Sequence, residues 1–475
     1  LTETKHQIGV IALTLITAAL FMTLRNMPMM AQTGMKMVIF NAITIVAYLI
    51  PVALVSAELA TGWPKNGVFH WVEAAFGSRL GFAAVWLQWA QSIFGITSIV
   101  AYVAASLAYA FDPSLGSNKY FIVAVILIVY WAATLANFRG SKSSGLISSV
   151  AVSVGVLLPT IVLIGLGALY AAEGNTLEID TALTAENWVP SLWETGNLVL
   201  FLSFIFGFVG VEVSASHARE VKNVHRTYPL AVFSAAAIGF VLTLLGGLAV
   251  AAILPAASID QINGAMQAFS AFFSHFGLVW LTPVAAVLVA FGAAGQVSTW
   301  IVGPVKGILA AGQDGNLPVW AQKVNDQGVP TNLLILQAAL ISLIAMSFLL
   351  VDNVNTAFLI LTSIAVLIYS LMYVLMYAAA IRLRYSHPEV QRAYRVPGGN
   401  AGMWITAGIG LLAAVACFGI GFIPPAVGGL SILSFELMMV LGVVLVSAVP
   451  FLIYALRRPQ WVRFSETQNA KKVES

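Results

Sequence analysis

Apolar residues run along this chain in blocks of about 20, separated by short polar connectors, and a block of that length crosses the hydrocarbon core as one helix. The pattern predicts twelve spans, running approximately from Ile8 to Met30, Met37 to Ala60, Leu80 to Phe111, Tyr120 to Ala136, Leu146 to Ala171, Asn197 to Ser216, Tyr228 to Leu254, Leu278 to Val302, Asn332 to Leu350, Thr356 to Ile381, Met403 to Ile423 and Ile432 to Leu456. Span six is interrupted. Gly207, Phe208, Val209, Gly210, Val211 and Glu212 set two glycines beside an ionisable side chain in its middle. Glycine costs about 1 kcal/mol against alanine inside a helix, and a carboxylate at bilayer depth costs about 2.5 kcal/mol or more. Span one carries a similar fault, because FMTLRNMPMM puts Arg25 and Asn26 ahead of Pro28, which removes a backbone donor.

The two faults fall at the same place in two successive groups of five spans. Interrupted hydrophobic segments at corresponding positions point to a transporter site, since freed backbone survives in a bilayer only where protein buries it or a watery cavity receives it. An odd number of spans per group inverts the second group relative to the first. The expected organisation is a first five-span repeat over residues 1–171, a second over 172–383, two more spans over 384–464 and a short tail over 465–475. Thr23, Arg25 and Asn26 at one break and Gly207, Gly210 and Glu212 at the other are candidate substrate-binding residues. The N-terminal ends of half-helices carry free N–H groups and a partial positive charge that suit a carboxylate.

Composition excludes most other classes. Sixty per cent of the residues are apolar, 9% are charged and the mean hydropathy is +0.92, whereas a soluble domain has about 25% charged residues. An all-α polytopic membrane protein is expected, with the lipid bilayer and a small molecule as partners and no nucleic acid. Lone Cys417 excludes a disulfide framework and a thiolate metal site, and His70, His217 and His275 lack metal-ligand spacing. No metal or cofactor is expected. The chain has no HExxH, GxSxG or phosphate-cradling loop, and no filter motif, so an enzyme or a channel is a weaker reading than a carrier.

Charge also orients the chain. With both termini cytoplasmic, nineteen Lys and Arg side chains fall in cytoplasmic segments and only Lys36 and Lys119 outside, as the excess of basic residues in cytoplasmic loops requires. The outer loop after span five holds Glu173, Glu178, Asp180, Glu186 and Glu194. A bacterial inner membrane is the expected location. The basic run of Arg219, Lys222, His225 and Arg226 needs no ligand to explain it. Gly303 and Gly307 read as a close-packing pattern, and Glu436 as an interfacial side chain.

Five segments resemble, in order, the amino acid/polyamine/organocation superfamily and its glutamate/GABA antiporter branch. They are IPVALVSAELAT around Glu58, NGVFHWVEAAFG, GFVGVEVSASHAREVKNVHRTYPLA, STWIVGPVKGIL and YRVPGG. The resemblance implies a leucine-transporter-type fold, a five-plus-five inverted repeat with two further helices. It also implies alternating-access transport of a small amino acid or an amine such as GABA, with antiport ahead of proton symport. Carried over by position, it makes Glu212 the central acid of span six, Trp300 the indole of span eight, and Tyr369 and Tyr373 the tyrosines of span ten. Arg25 departs from the branch, which has a tyrosine there, and Gln296 stands where the branch has an acid.

Two readings of Arg25 stay open: it meets an acidic group of the substrate, or it pairs internally with Glu212 or Glu58. Glu212 could draw a substrate ammonium, carry a coupling proton or neutralise Arg25. Glu58 is either a coupling or gating residue or a structural contact to the adjacent loop. Tyr369 and Tyr373, one turn apart, share a helix face, as do Gln296 and Trp300; packing and pocket roles remain open for the aromatics.

Overall fold

The computed structural model describes residues 8–64, 67–140, 150–191, 195–351, 353–424 and 431–462. The expected start of span five at Leu146, the tail over 465–475, and Lys5, Lys65, Lys142, Glu194, Arg463, Lys471 and Lys472 lie outside these residues. The protein is an all-α membrane protein. Eleven helices among the described residues are long and apolar enough to cross a bilayer, from Lys36–Gly62 to Ile432–Ala455. Span one is the twelfth; its longer piece, Val10–Phe21, has 12 residues, too few to cross alone.

The break in span one follows its sequence. Helix Val10–Phe21 stops where Met22 and Thr23 turn extended, with ψ of 120° and 143°. Thr23 Oγ1 then accepts the Arg25 amide at 3.2 Å, a short turn covers Leu24–Asn26, and Pro28 sits in the first turn of Met27–Ala31. Proline is tolerated there because a first-turn N–H has no helical partner. The short half is held from above: Gln32 Nε2 donates to the Ile259 carbonyl at 2.8 Å and Gly264 lies against Pro28. Span six runs as Thr195–Phe206, opens over residues 207–210 and resumes as the tighter 3-10 turns of Val211–Glu220. Gly210 has φ of 104°, a conformation that L side chains rarely adopt.

Spans three (Ser78–Phe111), six and ten (Val354–Ser386) bury 78% of the residues in their most apolar stretch, and span twelve (Ile432–Ala455) buries 17%. The first three therefore form the centre, with span eight packed on span three, while the last presents its apolar surface to lipid. Gly307 serves that packing, since a Cβ on it would lie 2.8 Å from Val85. Span eight continues as helix Thr282–Ala311, beyond the expected end at Val302. Helices Val68–Phe76 and Gly264–His275 fall between spans in stretches the hydrophobic pattern left as connectors. At 9 and 12 residues both are too short to cross.

Candidate functional site

A helix that stops in mid-bilayer leaves its last carbonyls without partners. In span one those of Leu20 and Met22 are met from span eight: Trp300 Nε1 donates to Leu20 O at 2.8 Å and Gln296 Nε2 donates to Met22 O. One turn apart on a helix, the two side chains present a single face to the break. The Trp300 ring then closes on the second break, for a Cβ at Gly210 would lie 2.7 Å from its Cζ2. Span eight thus holds both interruptions together.

Glu212 lies just past the second break and is 1% exposed. Tyr369 donates its hydroxyl to Oε1, Tyr373 donates to Oε2 at 2.6 Å, and Gln88 Nε2 reaches Oε1 at 3.4 Å. The Gly210 N–H donates in turn to the Tyr373 hydroxyl at 3.4 Å. A buried carboxylate is tolerable when its lone pairs are filled in this way. Tyr369 sits edge-on to Trp300, with ring centroids 6.4 Å apart.

A small cavity lies between the two breaks, walled by Thr23, Arg25 and Asn26 from span one, Phe206 and Val209 from span six, Gln91 and Ser92 from span three, and Gln296 and Trp300 from span eight. About 30 Å³ of it is open to the centre of a water molecule, which holds roughly two waters. Glu212 is not on its wall. Trp300 is on the wall, its ring meets that of Tyr369, and Tyr369 touches the carboxylate.

Arg25 is 4% exposed and pairs with neither Glu212 nor Glu58, which overturns the internal-pair reading. Both carboxylates are already claimed. Glu58 takes a two-pronged bond from Arg384, with Nε and Nη2 each at 2.6 Å, accepts the Val396 amide at 2.7 Å, and has Arg392 Nε at 3.4 Å. Among the described residues its partners lie at the end of span ten and in the segment after it, rather than in the loop adjacent to it in sequence. Arg25 instead donates through Nη1 to Ser98 Oγ at 3.1 Å, with Thr362 Oγ1 3.3 Å beyond. Its guanidinium lies 5.0 Å from the Phe206 ring centroid and 5.9 Å from that of Phe358.

The expected site residues therefore separate into three places. Thr23, Arg25, Asn26, Gln296 and Trp300 wall the cavity; Glu212, Tyr369 and Tyr373 form the neighbouring cluster, reached through Gly210; and Glu58 is remote. Gly207 packs against Met30 at the break. Sequence reasoning missed Gln88, Gln91, Ser92 and Ser98, although with Gly95 they make a polar and small stripe at helical spacing along span three. On a separate face, the ligand atoms of His70, Glu73 and Asp314 lie within 4.8 Å of one another, a grouping hidden from spacing rules by the distance of Asp314 along the chain.

Residues 8–449 match the sequence model of a family described as amino acid permease. An uncharacterized transporter of Legionella pneumophila is 37% identical over 95% of this chain and 97% of its own length. A glutamate/gamma-aminobutyrate antiporter of Lactococcus lactis is 33% identical over 93% of this chain and 89% of its own. Among solved structures, MhsT in complex with L-phenylalanine superposes with a TM-score of 0.62 at 14% identity, covering 88% of this chain and 99% of that one. That likeness supports the leucine-transporter-type fold alone.

Proposed function

Because the chain belongs to the amino acid permease family, we propose that this amino acid transporter works by exchange, carrying a small amino acid, or an amine derived from one, by alternating access. The observation that carries the reading is the cavity enclosed by both helix breaks and by spans three and eight. A substrate held there touches the two segments whose backbone is free to rearrange. At about 30 Å³ of free interior the cavity is smaller than an amino acid, so a substrate fits only when its walls move apart.

In this reading Thr23, Arg25, Asn26, Gln296 and Trp300 surround the substrate, and Gly207 and Gly210 supply the hinge of span six. Glu212, Tyr369 and Tyr373 form the latch below the indole. Movement of the Trp300 ring passes to Tyr369 and so to the carboxylate that anchors span six to span ten. Glu58 with Arg384 ties span two to span ten at a distance from the substrate, as a gating contact.

Exchange is favoured over proton symport on two counts. The Lactococcus lactis relative is named an antiporter. Span five also has no lysine or acid between Leu146 and Tyr170 to act as a fixed coupling charge. The test is counterflow into liposomes: labelled amino acid should enter vesicles preloaded with unlabelled amino acid several-fold faster than empty ones. Equal rates into loaded and empty vesicles under an imposed proton gradient would identify symport. Glu212→Gln should slow the exchange, and an unchanged rate at every pH would remove Glu212 from the latch.

A further inference from the structure

Resting on the transport reading above, we infer that Arg25 forms an anion subsite in the cavity and that the amino acid carried has a net negative charge, its additional carboxylate seated on the guanidinium. Among the described residues, Arg25 is the one ionisable side chain on the cavity wall. It is permanently protonated, and among the described residues no carboxylate lies within ion-pairing distance of it. An unpaired cation at that depth calls for a counter-charge. A zwitterion brings none, so the filled cavity would keep its positive charge; an acidic amino acid makes the cavity neutral.

The unfilled donors point the same way. Arg25 Nε, Asn26 Nδ2 and Gln91 Nε2 are buried without a hydrogen-bond partner, and all three residues wall the same cavity. Buried donors in folded proteins are almost always matched, and a carboxylate with two oxygens and four lone pairs is the acceptor that a guanidinium fork fits. The fork is held for this role. Ser98 takes Nη1, and Phe206 and Phe358 face the guanidinium, so that it cannot turn away to solvent. The same charge argument disfavours 4-aminobutyrate, which carries no net charge.

The test measures thermal stabilisation of the purified protein by L-glutamate, L-aspartate, L-glutamine, L-asparagine and 4-aminobutyrate, in gluconate buffer with and without chloride, followed by counterflow. The acidic pair should bind better than its amides and better than 4-aminobutyrate. Arg25→Met should lower the glutamate-to-glutamine affinity ratio by roughly 30-fold or more, the loss expected for one partner of a buried charge pair, with Arg25→Lys between the two. Should Arg25→Met not fold, the wild-type ratio and a several-fold fall in Gln91→Leu carry the test. Glutamine binding the wild type as tightly as glutamate would overturn the inference. So would Arg25→Met weakening both ligands alike, or chloride giving the Arg25-dependent stabilisation without competing with glutamate, which would mark an inorganic-anion site. Good exchange of neutral amino acids with none of acidic ones sinks only the subsite; exchange of no amino acid at all sinks the transport reading itself.

Discussion

Tyr373 serves two groups at once, and its neighbour one turn on serves none. Its hydroxyl receives the Gly210 N–H at 3.4 Å and donates to Glu212 Oε2 at 2.6 Å, whereas the buried hydroxyl of Tyr377 has no partner among the described residues. Tyr373→Phe strands a backbone donor and one carboxylate oxygen, and should cost about 1–3 kcal/mol. Tyr377→Phe removes an unsatisfied hydroxyl and should be neutral or slightly stabilising. Thermal unfolding of the two variants in detergent, measured side by side, checks the contrast; equal losses would mean that the hydroxyl at 373 does no more than fill space. Gly210→Ala faces two obstacles, a φ of 104° and the Trp300 ring at 2.7 Å. A strained residue of this kind costs about 1–3 kcal/mol, and the same unfolding assay should register at least that loss.

At the scale of elements, the broken spans are joined as well as opposed. The Lys222 amide donates to the Ile8 carbonyl at 3.0 Å, so the start of span one is tied to the end of span six on the face away from the cavity. Spans two and ten are clamped by Glu58 and Arg384. Removing one partner of a buried pair leaves an uncompensated charge and costs about 3–5 kcal/mol, while replacing both by apolar groups is often close to neutral. Arg384→Met leaves Glu58 with Arg392 Nε at 3.4 Å and the Val396 amide, so it should destabilise the protein by about 3 kcal/mol, the low end of that range. Glu58→Met with Arg384→Met strands Arg392 and that amide, and should recover only part of the loss. A double-mutant cycle on unfolding free energies checks this, and simple additivity would mean that the pair is not coupled.

These elements also show where the sequence was readable. The breaks were legible because glycines, proline and ionisable side chains are costly in a span and stand out against an apolar background. The partner of Arg25 was not, since the lengths of the spans say nothing about which side chain of span three or ten comes level with it. Arg384 follows span ten as one of the nineteen basic side chains on the cytoplasmic side, and its two-pronged bond to Glu58, 326 residues away in sequence, leaves no local trace. The polar stripe from Gln88 to Ser98 was present in span three but reads equally well as helix packing until a cavity is found beside it.

For the whole molecule, the twelve-span fold fixes parity but not which face meets the cytoplasm; that direction rests on the nineteen-to-two distribution of Lys and Arg and on the excess of basic residues in cytoplasmic loops. One span separates the acidic segment after span five from the connector between spans six and seven, so the two must lie on opposite faces. Leu183 in the former is 88% exposed, and Lys222 in the latter is exposed as well. Cys417, the chain's one cysteine, is 2% exposed, so a thiol reagent that cannot cross membranes should ignore it in the folded protein. Leu183→Cys should then be labelled on intact cells, and Lys222→Cys only after the membrane is opened. Reversed labelling would turn the molecule over while leaving the cavity intact; labelling of both from one side would mean that a span has been miscounted between them, and with it the inverted relation of the two breaks on which alternating access depends.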